Sequence, residues 1–145
     1  MLVAQKKQQE NIAEYVLYLF QIEDVVRSLN FDIDQIMESF VKPNLLDASF
    51  EAQYRVWYTD IIEEMKRSGL EKKGHLDRVM EVMKELLFLH NTLLSIQGQT
   101  KYKQLCSEAS SFMTEFREKA SMKNHHDVEI LIHAMHMKLQ FRLRK

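Results

Sequence analysis

Four residues of the kind that bind transition metals stand on one helical face near the end of the chain. They are His126, Glu129, His133 and His136, spaced three, four and three apart. Three imidazoles and a carboxylate could form a ligand set for zinc or a related ion. A straight helix rises ~1.5 Å per residue, so His126 and His136 lie about 15 Å apart and cannot share one ion. Only neighbours such as His133 with Glu129 or His136 could chelate, and a second helix would have to complete the shell. No Glu-x-x-His pair on another helix is there to do so. The face therefore reads as polar and partly solvated. No metal and no cofactor is expected.

A second candidate lies near the start. Asn11, Glu14, Tyr18, Gln21 and Ser28 fall on one line of a helix, beside the apolar seam of Ile12, Tyr15, Leu19 and Ile22. A carboxylate, a phenol and an amide bordered by apolar surface are the makeup of a small-ligand pocket. Glu14, Tyr18 and Gln21 are the candidate ligand-binding residues there, with Glu14 as the base or metal ligand. The competing reading is a solvated strip, since polar lines on helices usually face water.

His90 is the third candidate. It falls inside an apolar seam made by Leu76, Val79, Met80, Met83, Leu86, Leu87, Leu93 and Leu94. A buried imidazole needs a partner, so it reads either as a satisfied core histidine or as a ligand-facing base. His75 lies about 22 Å from it along the same predicted helix and cannot assist it. Cys106 shares a stripe with Leu105, Ala109 and Met113 and reads as a small core side chain. Lys138, Arg142, Arg144 and Lys145 complement a negative helix end. Phe88 points away from the seam, among Glu81, Lys84, Glu85 and Ser95; a covering helix of the same chain is the expectation, and a partner surface the alternative. No catalytic residue can be named.

Composition narrows the chemistry further. The chain has 3 Gly and 1 Pro in 145 residues. Phosphate-cradling loops need clustered glycines, which excludes P-loop and dinucleotide-fold chemistry, and no Gly-x-Ser-x-Gly elbow exists. Twenty basic and 21 acidic side chains leave a formal charge of -1. That balance supplies no field to attract nucleic acid or an anionic membrane, so neither is an expected partner. A lone cysteine and the lack of a signal-like or membrane-length apolar run point to the cytoplasm.

The elements that position these residues are all helical. Periodic apolar spacing predicts a first helix from about Gln5 to Leu29 and a short one capped by Asp32 and stopped at Pro43. A third runs from about Ser49 to Ser68 and ends at Gly69. A fourth follows Gly74, a fifth runs from Tyr102 to Phe116, and the last runs from about His125 to the end. Trp57 is expected to be buried as a principal core anchor, in a stripe with Phe50, Tyr54 and Tyr58. The fold class is all-α: one compact domain, residues 1–145, forming a bundle of about six mostly antiparallel helices.

The string Glu10-Asn11-Ile12-Ala13-Glu14-Tyr15, with Leu17-Tyr18, Gln21, Glu23-Asp24 and Arg27, resembles a family of uncharacterised bacterial proteins of about this length, classed as a domain of unknown function. Trp57-Tyr58, Gly74-His75-Leu76, Leu89-His90 and Leu93-Leu94 are similar as well, so the resemblance spans nearly the whole chain. It implies an all-helical bacterial protein and supplies no activity, substrate or catalytic residue. The expected function is that of a non-enzymatic cytoplasmic helical domain acting through protein contacts, with a homodimer among the candidate assemblies. The alternative is a bundle with an internal polar pocket that binds a small molecule or metal, with hydrolysis as its extension.

Overall fold

The computed structural model describes residues 2–144. Every regular element among them is helical: α1 (Val3–Glu10), α2 (Ile12–Ser28), α3 (Ile33–Ile36), α4 (Lys42–Asn44), α5 (Glu51–Arg67), α6 (Asp77–Ser95), α7 (Thr100–Lys119) and α8 (Asp127–Leu143). A single widened turn, Met37–Val41, makes α3 and α4 one continuous run, so the described residues form seven helices rather than about six. The widening has a local cause. Pro43 has no N–H for the carbonyl four residues back and its ring crowds that carbonyl, and the Lys42 N–H reaches Met37 instead. No helix among the described residues is long and apolar enough to cross a membrane.

The additional helix comes from a break in the expected first one. Asn11 is extended (φ -155°), and its side chain accepts a hydrogen bond from the Glu14 N–H at 3.2 Å. Asparagine competes with the helix for backbone hydrogen bonds and is a strong N-cap, so it ends α1 and starts α2 although the apolar spacing continues across it. The other boundaries follow the sequence closely. Gly69 adopts φ +67°, and the Leu70 N–H returns to the Met65 carbonyl at 2.9 Å, which closes α5. Asn30 and Ser121 take the same left-handed conformation after α2 and α7.

Backbone proximity groups the chain into two compact units, one up to Met80 and one from Glu81 onward. The core of the first unit centres on α2. Tyr15, Val16, Leu19, Phe20, Ile22 and Val26 are buried there, on more than one side of the helix. Ile36, Met37 and Val41 from the second run join that core. So do Tyr58, Ile61, Ile62 and Met65 from α5. In the second unit Met83, Met113, Val128, Ile130 and Ile132 are buried.

Trp57 departs from expectation. It is only half-buried, whereas Tyr58 beside it is 1 % exposed. Ile61, Ile62 and Met65 stand three, four and seven residues beyond Tyr58, so Tyr58 leads the inward stripe and Trp57 lies about 100° around the helix from it. The Trp57 ring packs edge-on against Tyr58 at 5.0 Å and stacks on Tyr18 at 6.4 Å. Tyr58→Ala should therefore cost about 3–5 kcal/mol, as truncation of a fully buried aromatic does. Trp57→Ala should cost less than about 2 kcal/mol, in keeping with partial burial. Urea unfolding followed by far-UV circular dichroism checks both, and the reverse order would restore Trp57 as the anchor.

Candidate functional site

The polar line on α2 is used mostly for local structure. Asn11 caps the helix, and the Ser28 hydroxyl donates to the Val25 carbonyl at 2.9 Å. Glu14 is 57 % exposed and pairs with Lys7 of α1 at 2.9 Å. The break at Asn11 makes that pair possible, because it frees α1 to fold back toward α2. Gln21 is half-buried, and Tyr18 is half-buried against Trp57. Burial, and then the neighbouring Tyr54 phenol, push the Tyr18 hydroxyl up to about 12. It stays protonated at neutral pH and can donate a hydrogen bond but cannot serve as a base.

The same unit has a groove of about 470 Å³ between the start of α1 and α5, lined by Leu2, Gln5, Gln53, Val56, Trp57 and Asp60 together with Ala52. None of Glu14, Tyr18 and Gln21 lines it.

A cluster not foreseen from the sequence joins the end of α2 to the segment before α6. Glu23 is fully buried. One carboxylate oxygen accepts the Leu76 N–H at 2.9 Å, and the other lies 2.7 Å from Nδ1 of His75. When Glu23 is a carboxylate it only accepts, and His75 then donates from Nδ1. The His75 ring lies flat on Phe20, with centroids 3.9 Å apart and planes 7° from parallel. One turn along α2, Arg27 donates to the carbonyls of Leu70 (3.0 Å) and Gly74 and approaches Asp24 at 3.6 Å. The pieces Glu23-Asp24, Arg27 and Gly74-His75-Leu76, which carry much of the family resemblance, thus meet in space. A carboxylate that orients an imidazole is the arrangement used for a general base, but here each carboxylate oxygen also anchors the backbone or ring of one loop. The signal for Glu23 was available: it stands four residues after Leu19 and three before Val26, a core position. Its pairing with a residue 52 positions away was not.

In the second unit His90 is 5 % exposed. Its Nδ1 lies 2.6 Å from the Tyr102 hydroxyl and its Nε2 3.5 Å from the Asp127 carboxylate. Arg117 also pairs with Asp127 and donates to the His125 carbonyl. Because Asp127 only accepts, Nε2 is the donor toward it, and Nδ1 accepts from Tyr102, whose hydroxyl burial holds above its ordinary range. His90 thus has a partner on each ring nitrogen, the satisfied core arrangement.

The C-terminal histidines disperse. His126 caps α8, its Nδ1 accepting the Glu129 N–H at 3.2 Å while its Nε2 lies 2.9 Å from the Glu129 carboxylate. His133 packs edge-on against His125, and His136 meets Gln140 at 3.0 Å. Among the described residues no group of three or more His, Cys, Asp or Glu side chains is placed to hold a metal ion. Cys106 is half-buried. Phe88, expected under another helix, is 75 % exposed, because it lies on the α6 face that presents Lys84, Glu85 and Asn91 to solvent.

The second unit also has a groove of about 310 Å³, lined by Phe112, Glu115, Phe116 and Lys119 of α7, Ala120 after it, and Met137 of α8.

Fold and clusters together define an all-helical domain whose buried polar groups tie helix ends to one another. The chain belongs to the family described as Domain of unknown function (DUF4924), which matches it over residues 1–145. No curated protein and no solved structure matches it.

Two expectations follow from the clusters. Glu23→Ala removes the acceptor for a buried N–H and for His75, and should cost at least about 2 kcal/mol. Glu23→Gln, which keeps one acceptor oxygen, should cost clearly less; equal losses in urea would show that the hydrogen bonds do not matter there. Asp127 is held below the usual carboxylate range, chiefly by its hydrogen bond with Arg117 and further by His90. A depressed value stabilises the fold above the unfolded carboxylate range near ~3.9, and that stability is lost as pH falls through the lower folded value. Asp127→Asn should therefore flatten the acid end of a melting-temperature profile below about pH 4. An acid limb as steep as that of the parent would remove Asp127 from its cause.

Proposed function

We propose that this protein is a non-enzymatic helical domain of the bacterial cytoplasm that acts through protein contacts made by residues 81–145. The observation that carries the reading is the distribution of exposed apolar side chains. Among the described residues of this unit, Phe88, Leu89, Leu105, Phe112, Phe141 and Leu143 are all more than half exposed. In the first unit the large apolar side chains this exposed are Leu46 and Val56. Phenylalanine and methionine are enriched at protein interfaces, and clustered exposed apolar surface marks such sites. Met135 and Met137 add to the open apolar surface of α8. A single half-buried cysteine suits a reducing compartment. The near-neutral charge favours neither nucleic acid nor a membrane as partner. The reading takes residues 1–145 as one domain and requires no cofactor.

A second reading rests on the α1–α5 groove. Its volume falls in the range of small-ligand sites, and it joins Trp57 to three polar side chains, Gln5, Gln53 and Asp60. Trp57 emission would report an occupant directly.

A photo-crosslinking amino acid placed at position 112 or 141 of the full chain, and illuminated in cells, tests the first reading. Defined covalent adducts are expected from both positions, and none from position 46, which is more exposed than either. Adducts no stronger at 112 and 141 than at 46 would overturn it.

A further inference from the structure

The groove between α7 and α8 is one end of a longer apolar strip. On α7 the strip continues from Phe112 to Leu105, two helical turns away on the same face. On α8 it continues from Met137 to Phe141, one turn on. Leu105 is 54 %, Phe112 72 % and Phe141 58 % exposed, although the sequence places all three in helices that also contribute to a core. α8 carries apolar residues on every side, with Ile130 and Ile132 buried and Leu131, Met135, Met137 and Phe141 open. A helix apolar all round needs packing on more than one side.

We infer that the occupant of this strip is a second copy of the same chain, joined through a two-fold axis along the bisector of the α7 and α8 arms. The inference rests on the proposal that this unit works by protein contact, and names the partner. Area is the first argument. With large side chains worth ~200 Å² each, the open fractions of Leu105, Phe112, Met137 and Phe141 amount to roughly 450 Å² of apolar surface. At the ~57 % apolar share of an ordinary interface, that apolar surface belongs to a footprint of roughly 800 Å² per partner, the size of a stable specific contact.

Charge is the second argument. Glu108 lies within one turn of both Leu105 and Phe112 on the α7 arm; Lys138 and Arg142 flank Phe141 on the α8 arm. All three are exposed, and none forms an ion pair among the described residues. A two-fold axis along the bisector sets the α7 arm of each copy against the α8 arm of the other. Glu108 of each copy then meets the Lys138 and Arg142 pair of the other, so the contact is made twice.

The test exploits that double pairing. The parent chain should sediment as a species of twice its 17.3 kDa mass, with dissociation on dilution from about 100 µM. Phe112→Asp should be a monomer with unchanged helicity, and its melting temperature should no longer depend on concentration. Glu108→Lys and Arg142→Glu, each alone, place like charges opposite one another twice and should weaken self-association at least tenfold. Mixed one to one, these two variants should recover it, because each supplies the charge the other lacks. Recovery in the mixture cannot arise from a change within one chain, so it holds the inference even if Phe112→Asp misfolds. A parent that remains a monomer at the highest concentration, or a dimer indifferent to Glu108→Lys and Arg142→Glu, overturns it. Should crosslinking at position 112 trap a product of some mass other than twice the chain, the second copy fails while contact function stands. The absence of any adduct would remove the contact reading itself.

Discussion

A buried carboxylate constrains the first unit more than any other group. Glu23 is fully excluded from water, and an uncompensated charge in such a place costs several kcal/mol. It is tolerable only because the Leu76 N–H and the His75 ring arrive at its two oxygens. Those donors lie in a segment without regular structure, so satisfying Glu23 fixes where that segment runs. Leu76 immediately precedes α6, whose first N–H groups have no carbonyl of their own helix to bond. The carboxylate of one helix therefore serves as the cap for the start of another. Arg27 holds the same segment at the carbonyls of Leu70 and Gly74. Gly74 itself turns with φ +95°, a conformation that favours glycine, and the Leu70 side chain packs close against it.

The helices were legible in the sequence because their signals are local. Apolar spacing, Asp32 as cap and Gly69 as stop each act within a turn or two. The one boundary that was hidden, at Asn11, was masked by apolar spacing that runs unbroken past it. Helical periodicity records which face is buried and is silent about whether the backbone is continuous; the cap residue carries that second message. The Trp57–Tyr58 exchange has a related origin. Both rings lie in one aromatic stretch, and the register set by Ile61, Ile62 and Met65 decides which is inside. Size alone favoured the tryptophan, whereas geometry selects the tyrosine.

The polar clusters were less legible, for a physical reason. A hydrogen bond between residues 52 apart depends on where α2 meets the segment before α6, and no periodicity encodes that. What the sequence does record is the anomaly: a glutamate at a core position of α2, and a histidine at a core position of α6. His90 was singled out because its neighbours are uniformly apolar. Glu23 escaped because it sits beside Asp24 in what reads as a charged turn of the helix. The histidines of α8 show the converse. Their spacing suggests a metal face, yet a histidine at the helix start is a competent cap, and once Nδ1 of His126 accepts the Glu129 N–H that nitrogen is no longer a ligand.

The two units meet the problem of burying apolar surface in different ways. In the first, α2 buries seven of its own residues, and the polar group among them is matched by donors. In the second, the polar network of His90, Tyr102, Asp127 and Arg117 is also satisfied, but α7 buries one residue, Met113, in twenty. A helix with Leu105, Phe112 and Phe116 on it could bury far more, at ~25 cal/mol for each square ångström taken from water. Its own unit leaves Leu105 and Phe112 more than half open. That shortfall is a property of the chain alone, and it costs solubility unless another surface makes it good.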